Sequence, residues 1–336
     1  MQNLAILGGS HIHTPNFVRM LQERKDIQVL WVWDPRPPLA EKLAAELNGR
    51  SASLETILGD QSITSVVICS ETFLHKDLVL SSASAGKNIF VEKPLGIGSA
   101  DAFAMANAVK QAGIIFQTGF FNRGNPVYRF LKEEITLGHF GKITRIRGVN
   151  AHQGGLAGWF VDKDWSWMTD LNQAGCGAFG DLGAHALDIL LWLVGYDVEQ
   201  VIASIKVATG RYGITDEYGE GMLEFSSGII GSLAAGWVDV RNPVKLEISG
   251  TEGHAALIDQ KLYYKSSHLE GANGEVPWEN LPAPLPHAFQ LFLDAITGTP
   301  HLPLVKVEEA ALQSAIMEAF YQSSKANAWV RPSQLA

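Results

Sequence analysis

The chain has 336 residues, more than one ordinary hydrophobic core accommodates and enough for two domains. Hydrophobic residues make up 46% of it and charged residues 18%, a composition that is typical of a folded globular protein and argues against long disordered arms. The formal net charge of −9 argues against a nucleic-acid backbone or an anionic membrane as the main partner, and no apolar run reaches the length of a membrane span.

The two cysteines, Cys69 and Cys176, fall in different predicted domains and form no CxxC-type spacing. We therefore expect reduced thiols, no disulfide framework and no metal centre. The first residues, Met1-Gln2-Asn3, lack the basic head of a signal peptide, so we expect a cytoplasmic protein.

Short apolar runs alternate with helical stretches in the first third of the chain. Runs rich in Val and Ile are typical of strands that are buried on both faces. The runs cover residues 4–7, 29–33, 66–69, 89–91 and 114–116, and helices are predicted at 39–47 and 99–111. This alternation predicts an α/β fold with a doubly wound parallel sheet, which we assign to a first domain over residues 1–120.

The pattern changes near residue 120, where a helix is predicted at 126–137, a strand at 143–149 and a helix at 179–194. Further strands are predicted at 201–207, 220–225, 229–240, 245–249 and 255–258, then a loop at 271–286 and helices at 287–296 and 307–326. Successive strands predict a second, α+β domain over residues 121–336 with a large, mostly antiparallel open sheet. A partner subunit is a common cover for such a sheet, so we expect a homo-oligomer.

The loop after the first predicted strand is a candidate phosphate-binding turn. It reads Gly8-Gly9-Ser10-His11-Ile12-His13 and precedes a predicted helix, whose amide end would attract phosphate. A dinucleotide fold favours glycine at three of these positions, and Ser10 and His13 replace the second and third. A plain glycine-rich turn between strand and helix is the alternative interpretation.

Asp34 ends the second predicted strand, 21 residues beyond His13. A carboxylate at this place can accept hydrogen bonds from the ribose hydroxyls and would repel a 2′-phosphate, which favours NAD over NADP. Arg36 argues in the other direction, because a guanidinium could bind a 2′-phosphate. A turn cap before Pro35 is the structural alternative for Asp34.

The fourth predicted strand runs into Glu92-Lys93-Pro94. A lysine at the carboxyl end of a parallel strand lies on the edge where open sheets bind their ligands. The alternative for a lone Glu-Lys pair is a surface salt bridge between the two side chains.

A second candidate catalytic segment, residues 175–188, contains Asp181 and His185 four residues apart. On a helix these two side chains share one face, with Asp188 near the same side. A histidine beside a carboxylate suits proton transfer at neutral pH. A helix cap or a buried polar pair is the alternative, and a metal site ranks low because no third ligand appears at suitable spacing.

Taken together, these segments resemble the glucose–fructose oxidoreductase, inositol dehydrogenase and rhizopine-catabolism family, abbreviated Gfo/Idh/MocA. The resemblance runs over nearly the whole chain, and its most specific part is Glu92-Lys93-Pro94, followed about 80 residues later by glycine-flanked Asp181 and His185. Other matching segments are Ser70-Glu71-Thr72 with His75, residues 85–88, residues 119–123 with Pro126, and residues 250–253.

The resemblance implies a Rossmann domain, a catalytic trio of Lys93, Asp181 and His185, a cis Lys93–Pro94 bond, and NAD, with NADP as the other possibility, as cofactor. The candidate cofactor-binding residues are Gly8, Gly9, Ser10, His11, Ile12, Asp34, Arg36, Ser70, Glu71, Thr72, His75, Glu92 and Lys93. The candidate substrate-binding residues are Lys93, Asn122, Arg123, His152, Trp165, Asp181 and His185. Arg123 could equally form a salt bridge, and the tryptophan could equally pack a loop.

The resemblance also implies a homodimer or homotetramer, and an enzyme that moves hydride between a nicotinamide and a hydroxyl or ketone of a sugar, inositol or related polyol. Two alternatives are an NAD-dependent glycoside hydrolase with transient redox chemistry and a redox-inactive nucleotide-binding regulator. The joint presence of Lys93, Asp181 and His185 argues against the regulator. Either Lys93 or His185 could be the general base.

Overall fold

The computed structural model describes residues 1–161 and 164–335. Its first sheet has six parallel strands in the order β3-β2-β1-β4-β5-β6, which confirms the predicted doubly wound architecture. The strands are β1 (Gln2–Leu7), β2 (Ile27–Trp33), β3 (Arg50–Ser51), β4 (Ser65–Ile68), β5 (Asn88–Val91) and β6 (Phe116–Thr118). The helices packed on it are α1 (Thr14–Gln22), α2 (Pro37–Glu46), α3 (Leu54–Gly59), α4 (His75–Ser84) and α5 (Gly98–Ala112). Strand order reverses between β1 and β4, so a ligand crevice is expected at their carboxyl ends.

Two strands of this sheet and one helix packed on it differ from the prediction. The strand predicted at 114–116 is found at Phe116–Thr118. Ile114 and Ile115 are apolar because they pack on the two opposite sides of the sheet, in the segment that leads into the strand. β3 is two exposed residues long and therefore carries no apolar signal. α4 mixes polar and apolar residues without a clear stripe, so its periodicity did not reveal it.

The second sheet has eight strands in the order β14-β13-β12-β11-β7-β10-β9-β8 and is antiparallel except for the β7–β10 pair. The mostly antiparallel open sheet is thus confirmed. Its strands are β7 (Ile143–Ala151), β8 (Val198–Lys206), β9 (Tyr218–Phe225), β10 (Ile230–Gly236), β11 (Val244–Gly250), β12 (Gly253–Ile258), β13 (Lys261–Ser266) and β14 (Asn273–Pro277).

The strand predicted at 229–240 is shorter, because the chain leaves the sheet after Gly236 and turns Trp237 inward, where it is fully buried. The loop predicted at 271–286 contains β14, which pairs with the unpredicted β13. Gly274 and Pro277 within β14 suppress the usual strand signal.

The helices of the second half are α6 (Pro126–Thr136), α7 (Gly154–Ala157), α8 (Leu171–Ala174), α9 (Ala178–Val194), α10 (Ala288–Ile296) and α11 (Val307–Ala326). α9 packs on β7 and β10, and α11 lies between α5 and β8. The stretch Leu171–Val194 is long and apolar enough to cross a membrane, but 78% of its most apolar window is buried within the protein, as in a core helix. α10 packs Phe289 and Phe292 against Phe90 of the first sheet.

Candidate active site

A buried ion pair joins the two halves of the fold. Lys93 follows β5, its peptide bond to Pro94 is cis, and its Nζ lies 2.5 Å from Oδ1 of Asp181 on α9. The side chains of Lys93 and Asp181 are only 3% and 13% exposed. Lys93 therefore forms a buried salt bridge with Asp181, and not the surface salt bridge with Glu92 that was the alternative. Instead, a cation from the sheet edge meets an anion from the helix.

The start of α9 is fixed by a residue that is distant in sequence. The Asp216 carboxylate accepts hydrogen bonds from the amides of Gly177 and Phe179, at 3.0 and 2.8 Å. The backbone of Gly177 lies so close to Asp216 that a side chain there would collide with it. Trp237 donates from Nε1 to Oδ2 of Asp181 at 3.0 Å. These contacts, together with the helix N-terminus, hold the Asp181 carboxylate in place.

Both members of the ion pair are held in their charged forms. Burial alone would raise the pKa of Asp181, but Lys93 and Trp237 lower it to about 2. Burial alone would lower the pKa of Lys93, but Asp181 and Glu92 raise it. At neutral pH, Lys93 is therefore a cation and Asp181 an anion.

His185 lies one helical turn beyond Asp181, and its Nδ1 is buried without a hydrogen-bond partner among the described residues. Burial lowers the pKa of His185 well below its ordinary value, and the positive charge of Lys93 lowers it further. The imidazole is therefore neutral at pH 7. A neutral imidazole can accept a proton, while an ammonium nearby can stabilise negative charge on an oxygen.

Three buried imidazoles should make the fold sensitive to acid. Burial lowers the pKa values of His11, to about 3, and of His75 and His185, from an ordinary value of 6.5. Below pH 6.5 the unfolded chain takes up protons at these residues and the folded chain does not, so stability should fall as the pH falls. Each residue should contribute up to about 1.4 kcal/mol per pH unit in that range.

Urea unfolding at about pH 7.5 and about pH 5.5 measures this loss of stability directly. The variant His75→Gln keeps a polar group but removes one titrating imidazole, so the slope of its unfolding free energy with pH should be smaller. An unfolding free energy of the parent chain that does not change over this interval would contradict the assignment of neutral imidazoles.

The loop after β1 approaches the loop after β4. Gly8 has a positive φ of 84°, and a Cβ built on it would lie 2.5 Å from Cβ of Ser70, so glycine is required. The amide of Gly9 donates to Oδ2 of Asp34 at 2.8 Å, and Oδ1 accepts from the amide and Nε of Arg36. The Asp34 carboxylate thus organises this loop.

Arg36 is held by two carboxylates. Its Nε lies 3.1 Å from Oδ1 of Asp34 and its Nη2 lies 3.2 Å from Oε1 of Glu71. A guanidinium engaged in this way is poorly placed to bind a 2′-phosphate, so the arrangement favours NAD.

The crevice fits a dinucleotide. Oγ of Ser10 and Oε2 of Glu71 are buried without hydrogen-bond partners among the described residues. Buried polar atoms require partners, and these two lie on the loops that follow β1 and β4, where open sheets bind nucleotides. The residues present could therefore hold the ribose and phosphate groups of NAD.

The two loop histidines surround Glu92. Nδ1 of His13 lies 3.0 Å from Oε1 of Glu92, and Nε2 of His11 lies 3.9 Å from Oε2. All three offer atoms within 4.8 Å of one another and could approach one metal ion. Burial alone would raise the pKa of Glu92, but His11, His13 and then Lys93 hold it well below its ordinary value. The neighbouring Lys93 ammonium would oppose a second cation there. The contact between His13 and Glu92 is a hydrogen bond, and the expected absence of a metal stays a prediction.

His75 and Trp167 both contact the loops at the cofactor site, and the contact of Trp165 with substrate stays a prediction. His75 is fully enclosed, with its ring nitrogens near the carbonyl oxygens of Pro94 and Ser70, so it supports the loops without facing the crevice. Trp167, and not the half-buried Trp165, reaches the cofactor loop and donates from Nε1 to the carbonyl of Ser10 at 3.1 Å.

Four other predicted site residues lie around the ion pair and the loops that follow β1 and β4. Asn122 lines a cavity beside His185. His152 follows β7, accepts a hydrogen bond from the Gly154 amide and packs against Trp159 with the two rings tilted at 47°. Ile12 packs against the core of the second half, and Thr72 is buried after β4.

Sequence comparison agrees with this geometry. Residues 2–120 match the family model described as an oxidoreductase family with an NAD-binding Rossmann fold. Residues 128–256 match the GFO/IDH/MocA C-terminal domain. The scyllo-inositol 2-dehydrogenase (NAD(+)) of Bacillus subtilis is 30% identical over 260 residues, which cover 74% of this chain and 71% of that protein.

The chain belongs to the Gfo/Idh/MocA oxidoreductase family. Levoglucosan dehydrogenase of Pseudarthrobacter phenanthrenivorans is 29% identical over 66% of this chain and 62% of its own length. A solved levoglucosan dehydrogenase in complex with NADH and levoglucosan has a TM-score of 0.79 at 22% identity, covering 99% of this chain and all of that one. That likeness shows the shared fold.

Within this Gfo/Idh/MocA enzyme, Arg123 has a different place from the one predicted for a substrate ligand. Its guanidinium donates to Asp188 at 2.6 Å, to Glu309 at 2.5 Å and to Tyr196 at 2.9 Å. These donors are committed to a network between α9 and α11, so Arg123 corresponds to the salt-bridge alternative. Asp188 is its main partner, through three hydrogen bonds from the guanidinium.

Asp216 and Trp237 were missed as members of the site. Asp216 lies between two strands, and Trp237 follows the end of β10, so neither belongs to a local motif. The aromatic segment around Trp167 gave a signal, but spacing did not indicate which tryptophan faces the cofactor loop.

Proposed function

We propose that this enzyme oxidises a hydroxyl of a sugar or polyol, or reduces the corresponding ketone, in the volume bounded by Lys93, Asp181 and His185. One observation carries the proposal: a Lys93 cation paired with Asp181 stands beside a neutral His185, whose Nδ1 has no hydrogen-bond partner among the described residues. Relatives named as inositol and levoglucosan dehydrogenases support the sugar or polyol class.

In the oxidation direction, Nδ1 or Nε2 of His185 accepts the proton of the reacting hydroxyl. The Lys93 ammonium donates a hydrogen bond to the same oxygen as negative charge develops on it. Asp181 keeps Lys93 protonated and fixes its direction, and Trp237 fixes Asp181 in turn. The loops that carry Gly8, Asp34 and Glu71 would hold NAD, which would supply the hydride acceptor.

The proposal is tested with purified enzyme, NAD or NADP, and a panel of sugars and polyols, by the absorbance of the reduced nicotinamide. Formation of reduced cofactor with at least one member of the panel is the expected result. Turnover of a substrate by enzyme with retained NAD, without net cofactor reduction, would favour the hydrolase alternative. Cofactor binding without any turnover would favour the regulator.

Asp34→Ser should shift the cofactor preference. Removing the carboxylate takes away the acceptor for ribose hydroxyls and frees Arg36 from one of its two anionic partners. We expect KM for NAD to rise about 10- to 100-fold, with measurable activity on NADP. Initial rates with both cofactors give the ratio, and an unchanged ratio would show that Asp34 does not contact the ribose.

We infer that a second copy of the chain covers the outer face of the second sheet, giving a homodimer or homotetramer. Large apolar side chains are exposed on its strands, namely Tyr218, Met222, Ile230, Val244 and Ile258. Exposed apolar residues on one sheet face are typical of protein interfaces. Sedimentation velocity of the purified enzyme tests this, and a monomer at micromolar concentration would contradict it.

We also propose a cytoplasmic location. Cys69 and Cys176 are both free thiols, as expected in a reducing compartment. Cell fractionation tests the location, and recovery in an oxidising compartment would contradict it.

A further inference from the structure

A cavity of about 220 Å³ lies beside His185, between α9 and the second sheet. α9 contributes His185 and Ala186 to its wall, and β11 contributes Lys245. The turn after β12 adds Gln260, and the segment after β6 adds Asn122. Drug-sized ligands occupy clefts of roughly 300–1,000 Å³, so this volume suits a smaller molecule such as a single sugar.

Four polar side chains line the cavity without a hydrogen bond or ion pair to any other described residue: Asn122, Tyr128, Lys245 and Gln260. By contrast, the amide of Asn150 on the same wall donates to a carbonyl of α9 at 3.0 Å. Burial raises the pKa of Tyr128 to about 12, so its hydroxyl stays protonated and can donate. Gln260 is exposed and the other three side chains are half-buried, so their polar atoms are open to solvent and available to a polar ligand.

Lys245 lies at a break in the regular pairing of β11. Val244 pairs with Ile258 and Leu246 with Leu257, so the register shifts at Lys245. Such irregularities redirect a side chain from its regular alternation. Here the redirected residue is a lysine that lines the cavity holding His185.

Gln260 is also held in an unusual backbone conformation. The turn between β12 and β13 consists of Asp259 and Gln260, with positive φ angles of 47° and 66°. Hairpin turns of this kind favour glycine or asparagine, and a glutamine there is less favourable. The turn nevertheless places the Gln260 side chain at the cavity beside Lys245.

The cavity has an unbalanced positive charge. Burial lowers the pKa of Lys245, and no carboxylate among the described residues offsets that effect. The nearby Asp181 carboxylate is already paired with Lys93. Burial lowers the pKa values of His185 and His152, which favours their neutral forms, so Lys245 supplies the positive charge of the cavity. A partly buried ammonium without a counter-ion is unfavourable, and a bound anion removes that cost.

We propose that the substrate is a polyhydroxy carboxylate, a sugar acid whose carboxylate binds Lys245 while its reacting hydroxyl lies at His185. Lys245 with the neutral amides of Gln260 and Asn122 supplies one positive charge, which matches a monoanionic carboxylate better than a phosphate dianion. The inference rests on the proposed function, because it takes His185 as the position of the reacting hydroxyl.

The test compares matched pairs of neutral sugar and uronic acid, glucose with glucuronate and galactose with galacturonate, plus glucose 6-phosphate. For the parent enzyme with NAD, kcat/KM should be about 10- to 100-fold higher for the acid of at least one pair than for its neutral partner. Lys245→Met should lower kcat/KM for the acid about 10- to 100-fold more than for the neutral sugar, mainly through KM, and so remove the preference. Lys245→Arg should retain the preference.

Lys261→Met is the matched control, because Lys261 is exposed on the adjacent hairpin and does not line the cavity. Equal kcat/KM for acid and neutral sugar in both pairs, a higher value for the phosphate, or an equal loss on both substrates in Lys245→Met would overturn the inference.

Calorimetric binding of the same acids to the enzyme–NADH complex separates this inference from the proposed function. Binding that is lost in Lys245→Met supports the anion site even if no hydride transfer occurs. Absence of acid binding in an enzyme that oxidises neutral sugars refutes the anion site alone.

Discussion

Lys93→Ala is expected to lower kcat about 10²- to 10³-fold, with the affinity for NADH changed by no more than a few fold. Lys93 is 3% exposed and held by Asp181, so its ammonium acts in a region of low dielectric, where it strongly stabilises charge on a substrate oxygen. Alanine provides no such donor. Steady-state rates on the best substrate of the panel and a fluorescence titration with NADH measure the two quantities.

The same substitution leaves the Asp181 carboxylate buried without its cation. The free energy of unfolding should fall by about 3–5 kcal/mol unless Asp181 takes up a proton. The double variant Lys93→Ala/Asp181→Asn removes both charges, and its stability should recover most of that loss while its kcat stays low. If kcat recovered together with stability, Lys93 would have only a structural role.

Motifs with strong local constraints were predictable from sequence. Gly8 is required where the chain passes Ser70, and Asp34 ends a strand at a fixed distance from that loop. Asp181 and His185 share a helix face because four residues make about one turn. The apolar runs of the first sheet are buried on both faces, so their strands were found with small errors at the ends.

Contacts between distant segments were not predictable in the same way. Asp216 caps α9 from 39 residues away, and Trp237 reaches Asp181 only because β10 ends at Gly236. Lys245 lines the cavity because pairing in β11 shifts at that residue. Each of these depends on sheet register and strand ends, and hydrophobic periodicity does not determine either with the required accuracy.

The choice of general base follows from the charges. A base must be unprotonated before it accepts a proton, and the pKa of Lys93 is raised by Asp181 and Glu92 despite burial. The pKa of His185 is lowered well below 6.5 by burial and by Lys93. We therefore expect His185 to take the proton, and kcat/KM of the parent enzyme to fall only well below pH 6.5.

His185→Asn is expected to lower kcat for oxidation about 10²- to 10⁴-fold at neutral pH, since an amide cannot accept the proton. The residual rate should rise with pH, because hydroxide then replaces the missing base, whereas the parent rate should be nearly constant over the same range. Lys93→Ala should not acquire this dependence, because its base is intact. A steep rise with pH in Lys93→Ala, with His185→Asn nearly as active as the parent, would instead make Lys93 the base.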